Sequence, residues 1–126
     1  MSKRILVVDD DELVLVALVE LISPKGFTVS TALSGPQALE KIEKTHFDLL
    51  ILDIIMPQMD GYELCRKIRA TKGYSEIPII MLTAKSGEDA QKKGLEAGAD
   101  LFLPKPIAPT ELLDLIEGTL EKRPKH

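Results

Sequence analysis

The apolar run Leu49-Leu50-Ile51-Leu52 ends in Asp53, and the segment Met56-Pro57-Gln58-Met59-Asp60-Gly61 follows almost at once. An unbroken apolar run of strand length, bounded by turn residues, reads as a strand buried on both faces, as in a parallel sheet. Pro57 and Gly61 punctuate its end. Asp53 therefore stands where a core strand emerges into a loop. An isolated buried carboxylate is costly, so this one is either held by partners or placed to react. The plain alternative is a strand-end Asp that caps a turn, and the remaining segments decide between the two.

Ile5 to Val8 is a second short apolar run, and it stops at Asp9-Asp10-Asp11. A helix is expected from Asp11 or Glu12 to about Ser23, its first-turn acids favoured by the helix dipole. Pro24 and Gly26 end it. Phe27 to Ala32 alternates like a strand, and Ser34-Gly35-Pro36 opens a second helix with Ala38, Leu39 and Ile42 on its apolar face. The third strand spans Asp48 to Asp53. Asp60 can cap a third helix carrying Leu64, Cys65 and Ile68. Pro78 to Thr83 is a fourth strand, Glu88 to Glu96 a weak fourth helix stopped by Gly98, Leu101 to Leu103 a fifth strand, and Pro109 to about Glu121 a last helix. Five strands alternating with five helices indicate an α/β domain with a doubly wound parallel sheet. Residues 1–121 form the expected domain, with 122–126 as a frayed tail.

In such sheets functional groups gather at the carboxyl ends of the strands. Here those ends carry Asp9 and Asp10, Asp53, Thr83, and, just after the fifth strand, Lys105. Singly, each has a bland reading as a helix-start acid, a strand-end hydroxyl or a solvated lysine. Together they are specific. Three crowded carboxylates resist ionisation without a neutralising partner, and a hard divalent cation supplies one. Magnesium takes one or two carboxylates, a carbonyl and several waters, leaving positions for phosphate oxygens. Asp53 can then attack a phosphoryl group as a carboxylate nucleophile and form an aspartyl phosphate. No general base is needed, because carboxylates are ordinarily deprotonated near pH 7. Thr83 can donate to one phosphoryl oxygen and Lys105 can neutralise another.

Composition narrows the field. At 126 residues with 44% hydrophobic and 29% charged residues, the chain is an ordinary soluble domain. A net charge of −4 gives no basic face for nucleic acid. The start Met-Ser-Lys-Arg runs straight into a strand-like segment rather than an apolar leader, no stretch reaches membrane length, and the single Cys65 fits an expected reducing cytoplasm. His46 and His126 are too few and too separated for a histidine metal cluster.

Val7-Val8-Asp9-Asp10, Leu52-Asp53-x-x-Met56-Pro57-x-Met59-Asp60-Gly61, Thr83-Ala84 and Lys105-Pro106 together resemble the receiver domain of two-component response regulators. The likeness runs from Lys3 to about Leu120. It implies a five-stranded flavodoxin-like fold of strand order 2-1-3-4-5. It implies Asp53 as phosphoacceptor, Asp9 and Asp10 holding Mg2+ (with Mn2+ as a substitute) together with Asp53 and the backbone carbonyl of Ile55, and Thr83 and Lys105 on the phosphoryl group. Lys105-Pro106 resembles the family's cis peptide. Phe102 falls at the family's switch aromatic, where it offers no hydroxyl. Ile55 and Lys85 flank the acyl phosphate in the family and influence its lifetime. The implied partners are a sensor histidine kinase or histidine phosphotransfer protein and a downstream protein or effector, with dimerisation on phosphorylation. The resemblance implies a switch domain that mediates its own phosphorylation and dephosphorylation, not an enzyme turning over a separate substrate. These residues leave no room for an effector domain after the last helix, so the expectation is a stand-alone receiver or one cut from a longer protein.

Three other functions compete. A haloacid-dehalogenase-like phosphatase wants a second acid two residues after the nucleophile, where this chain has Ile55. A flavin-binding electron carrier needs a hydroxyl- and glycine-rich loop after the first strand, where three acids stand. A degenerate receiver that only docks would have lost some of the acidic site, which is complete.

Two helices carry further expectations. On a wheel, Val14, Ala17, Leu18 and Leu21 of the first helix share the face that packs on the sheet. Leu13, Leu15, Val16 and Val19 then point away, and a helix apolar all round calls for a second partner. In receivers this helix contacts the helical domain of the phosphohistidine donor, which makes Leu15, Val16 and Val19 the expected docking residues. The fourth helix has few apolar residues and an interior Gly94, which costs about 0.5–1 kcal/mol relative to alanine. That helix is expected to open most readily, and with Phe102 to carry the phosphorylation-dependent surface.

Overall fold

A computed structural model describes residues 2–121. The elements are β1 (Arg4–Val8), α1 (Glu12–Ile22), a short 3-10 turn (Ser23–Lys25), β2 (Thr28–Ala32), α2 (Gly35–Lys44), β3 (Leu49–Leu52), α3 (Gly61–Arg69), β4 (Ile79–Thr83), α4 (Glu88–Ala97), β5 (Leu101–Pro104) and α5 (Pro109–Glu121). All five strands are parallel, in the order β2-β1-β3-β4-β5. The proposed tail, 122–126, lies outside the described residues.

The sheet separates two cores. Leu6, Val8, Leu50, Leu52, Ile79 and Met81 point to one face, where α2, α3 and α4 cover them with residues such as Ala38, Ile42, Leu64, Ile68 and Ala97. Ile5, Val7, Leu49, Ile51, Ile80 and Leu82 point to the other, under α1 and α5. This alternation explains why β3 reads as unbroken apolar sequence: successive side chains enter different cores, and neither face meets water.

Side-chain caps start three helices where the sequence places them. Asp11 accepts from Leu13 N at 3.0 Å, Ser34 from Gln37 N at 3.3 Å and Asp60 from Glu63 N at 2.9 Å. Helix α4 has no such cap: Gly87 precedes it without a side-chain hydrogen bond.

The packing face of α1 differs from the wheel reading. Leu15, Leu18 and Ile22 are the buried stripe, while Leu13 is 79% exposed, Val16 53% exposed and Ala17 exposed. Leu15, expected on the outer face, lies in the core at 5% exposure. Val14, Val19 and Leu21 are half-buried flanks. Every position from Leu13 to Val19 is apolar, so the pattern contains no polar stripe to fix the phase. Packing against the sheet fixes it instead, burying Leu15, Leu18 and Ile22.

The interior glycine of α4 has a packing role as well. Gly94 is buried, and a Cβ there would stand 2.8 Å from the Phe102 ring and 2.9 Å from Met81 Sδ. The glycine is therefore a packing requirement that lets α4 lie close on β4 and β5, beyond any local weakness it brings.

Candidate functional site

Register alone brings the site together. In the central pair β1–β3, Val8 is level with Leu52, so the residues that follow, Asp9 and Asp53, leave the sheet side by side. Ladder-like bonds extend past both strand ends: Asp9 N donates to Ala32 O at 3.1 Å and Asp53 N to Val8 O at 3.0 Å. This is also where the chain reverses direction across the sheet, with β2 on one side of β1 and β3 on the other. Thr83 ends β4, and Lys105 N donates to Thr83 O at 2.9 Å just beyond β5.

Asp9 and Asp53 are 3% and 6% exposed, and Thr83 is fully buried. These three are the buried polar residues among those described. Asp10 is exposed, yet carboxylate oxygens of Asp9, Asp10 and Asp53 all lie within 4.8 Å of one another. Lys105 reaches in to bridge them, with Nζ 2.6 Å from Asp9 Oδ2 and 3.3 Å from Asp53 Oδ2. The Lys105-Pro106 peptide is cis, as the resemblance implies. Asp53 Oδ1 accepts from Ile54 N at 2.7 Å and Ile55 N at 3.3 Å, and Asp9 Oδ1 from Asp11 N at 2.9 Å.

Electrostatics follow from this geometry. Burial pushes the Asp9 carboxyl above its ordinary range, outweighing the Lys105 and Asp11 hydrogen bonds, and the Asp53 charge pushes the same way. Burial alone would lower the Lys105 ammonium, but the Asp9 hydrogen bond and the Asp53 charge overcome it and raise it. Three carboxylates share one ammonium, a net deficit of positive charge. A six-coordinate cation with oxygen bonds of about 2.0–2.1 Å spans carboxylates at this separation directly or through a bound water, and hard oxygen donors suit it. The donor set therefore fits Mg2+. Ile55, whose carbonyl the resemblance adds to that set, lies at the rim with its side chain 56% exposed.

A match to the response regulator receiver domain spans residues 5–117. The chain belongs to the response regulator receiver family. The response regulator MprA of Mycobacterium ulcerans is 45% identical over 122 residues, covering 97% of this chain and 52% of that protein. The chain thus spans about half the length of the curated relatives it matches. A CheY-like receiver domain protein from Methanospirillum hungatei superposes with a TM-score of 0.91 at 34% identity, covering 97% of this chain and 96% of the other. The DrrB receiver domain in a beryllofluoride-activated form matches with a TM-score of 0.88 at 36% identity, covering 97% and 100%. The five parallel strands of this chain, in the order 2-1-3-4-5, and its five helices match the flavodoxin-like receiver fold of these solved structures.

Other residues take their places around the site. Phe102 packs partly buried against the α2–α4 core, beside Gly94. Lys85 N donates to Thr83 Oγ1 at 3.2 Å, and its ammonium lies 5.6 Å from the centroid of the Tyr62 ring. Burial pushes the Cys65 thiol up to about 11, so it packs in the core without thiolate character. Sequence reasoning missed Arg69. Its guanidinium donates to Gly98 O (3.0 and 2.7 Å), Tyr74 O (3.0 Å), Ile77 O (2.5 Å) and Asp100 Oδ2 (3.0 Å), clamping the ends of α3 and α4 at the edge opposite the acidic site. A basic residue in the last turn of a helix reads as ordinary dipole complementation, so no local signal marked it.

Proposed function

We propose that this chain is a phosphoacceptor switch, taking a phosphoryl group from a phosphohistidine donor onto Asp53. The observation that carries the reading is the buried Asp9–Lys105–Asp53 bridge beside exposed Asp10, at the junction of β1 and β3. Asp53 presents its carboxylate to phosphorus. The new P–O bond forms as the donor's P–N bond breaks, and the released imidazole takes up a proton. Asp9 and Asp10, with Asp53 and the Ile55 carbonyl, would hold Mg2+, which neutralises charge on the transferring group. Lys105, already 3.3 Å from Asp53 Oδ2, neutralises a phosphoryl oxygen, and the buried Thr83 hydroxyl donates to another.

The partners are a sensor histidine kinase or histidine phosphotransfer protein and a downstream protein or attached effector reached through α4, β5 and α5. Hydrolysis of the aspartyl phosphate resets the switch, so the domain is no turnover enzyme on a separate substrate. The donor docks on the outward face of α1 at Leu13 and Val16, with Val19 on its flank. Leu15 is withdrawn from that surface, being buried. Among the described residues no helix is long and apolar enough to cross a membrane. The reading places the switch in the cytoplasm, away from membrane and nucleic acid.

Intact mass after treatment with acetyl phosphate tests the chemistry. Wild type with magnesium should gain one phosphate, while Asp53→Asn, and wild type with chelator, should gain none. A phosphate adduct on the mutant or in chelator overturns the assignment.

A further inference from the structure

With Phe at position 102, no phenolic hydroxyl is present at the family's switch position. The chain's two tyrosines are Tyr62 and Tyr74, and Tyr62 lies between the acidic site and α4. It is 7% exposed and is the second residue of α3. Its hydroxyl donates to the carbonyl oxygen of Ala90, in the first turn of α4, at 3.3 Å. Its ring carries the Lys85 ammonium from the β4–α4 loop. One side chain thus touches both the loop and the helix that lie between Thr83 and the surface of α4.

The backbone just before Tyr62 is anchored beside the acceptor residue. Gly61 N donates to Ile54 O at 2.9 Å. A Cβ on Gly61 would collide with the Asp53 carbonyl oxygen and stand 2.7 Å from Ile54 Cα. The start of α3 is therefore pressed onto the backbone of Asp53, and Tyr62 is fixed relative to that backbone. Lys85, meanwhile, is tied by its own amide to Thr83 Oγ1. A movement of Thr83 Oγ1 toward a group on Asp53 pulls on that tie, and with it on Lys85 and its loop, away from Tyr62.

We infer that Tyr62 is a positioning residue, a latch that holds the β4–α4 loop and the first turn of α4 in their resting place against the backbone of Asp53. The inference rests on the phosphoacceptor reading and adds a second connection between that site and α4, separate from the contact of Phe102 with Gly94. Helix α4 suits a latch, because its N-terminus has no side-chain cap and Tyr62 supplies a tether at that end. Arg69 fixes the other end through Gly98.

Tyr62→Phe removes the hydroxyl and keeps the ring under Lys85. The Ala90 carbonyl retains its place in the helical ladder, so no buried group is stranded. Beryllofluoride with magnesium serves as the phosphoryl probe, followed by 19F NMR titration. Hydrogen exchange of α4 is measured alongside on the free protein. A neutral hydrogen bond at this length gives an expected tightening of beryllofluoride affinity by about 2- to 5-fold, because the variant no longer pays to release the latch. Amides of the first two turns of α4 should exchange faster by a similar factor, with α2 unchanged. A merely structural tyrosine would lower global stability without altering the affinity. Equal affinity with unchanged α4 exchange overturns the latch, and so does weaker binding. Failure of wild type to bind beryllofluoride overturns the phosphoacceptor reading instead, and α4 exchange in the free protein then decides the latch alone. Should Tyr62→Phe not fold, site-specific 3-fluorotyrosine at mildly acidic pH keeps the shape and strengthens the donor. Slower α4 exchange is then expected, and unchanged exchange overturns the latch.

Discussion

Lys105→Met removes the one ammonium that bridges the buried carboxylates. Its Nζ lies 2.6 Å from Asp9 Oδ2 and 3.3 Å from Asp53 Oδ2. At an effective dielectric of about 20, these separations give gross attractions of roughly 6 and 5 kcal/mol. Most of that is offset by the desolvation of all three groups. The net penalty is better taken from broken buried pairs, about 3–5 kcal/mol, because a charge is left uncompensated. The Lys105 side chain is 23% exposed, so water screens part of it and the expected loss falls to about 2–3 kcal/mol. Urea denaturation in chelator measures it at neutral pH. Lowering the pH should shrink the difference. Asp9 already has a raised pKa, and removal of Lys105 raises it further. The folded variant therefore takes up protons before the unfolded chain does, and it recovers stability as pH falls toward the ordinary carboxylate range. The same sign holds for Lys105 in wild type. Its raised pKa contributes stability that is fully present below its ordinary value and lost as pH rises through the folded one. Magnesium should restore the variant more than it stabilises wild type, since no ammonium competes for the carboxylates. Saturation at about 100 times the dissociation constant is worth about 2.7 kcal/mol. If Lys105→Met is as stable as wild type in chelator, or if magnesium stabilises both equally, the charge-deficit account is wrong.

Gly94→Ala sets helix propensity against packing. Alanine gains about 1 kcal/mol in a helix interior, while its Cβ must displace Phe102 or Met81 at an overpacking cost of about 1–3 kcal/mol. A net loss of about 1 kcal/mol in urea is expected, and a stabilised variant would show that the contact yields freely. On α1, Leu13→Glu with Val16→Glu should abolish phosphotransfer from the cognate donor and leave acetyl phosphate labelling intact. Both residues are more than half exposed, so a fold defect should not intervene; unchanged phosphotransfer would remove α1 as the docking face.

The parts of the fold that were legible in the sequence are those where one local rule acts alone. Strand β3 is apolar because both its faces are covered, and the caps Asp11, Ser34 and Asp60 each close a helix start within three residues. The acidic cluster was legible because parallel topology carries every strand end to one edge. The phase of α1 was not, since a helix apolar on all sides offers two plausible stripes and only tertiary contact selects Leu15, Leu18 and Ile22. The packing role of Gly94 was hidden for a related reason. Propensity counts what a glycine loses in its own helix and is blind to the Phe102 ring beneath it. Arg69 and Tyr62 were silent because most of their partners, at Gly98, Tyr74, Ile77 and Ala90, are backbone carbonyls, which any sequence supplies.

The bridge also bears on which oxygen of Asp53 reacts. Oδ1 accepts from two amides, at 2.7 and 3.3 Å, and is held by the backbone of its own loop. Oδ2 has only Lys105, at 3.3 Å, while that ammonium lies at 2.6 Å from Asp9. The shorter charge-assisted bond is the stronger, so Asp9 takes the larger share of the lysine and leaves Oδ2 the less engaged oxygen of Asp53. On the phosphoacceptor reading, Oδ2 is then the nucleophile and the two amides fix the carboxylate for attack before any donor arrives. Asp9 thereby serves twice. It contributes charge that calls for a cation, and it holds Lys105 far enough from Oδ2 to leave that oxygen available. Removing Asp9 would relieve the crowding but release Lys105 onto Asp53. A more stable and less reactive site is the physical consequence.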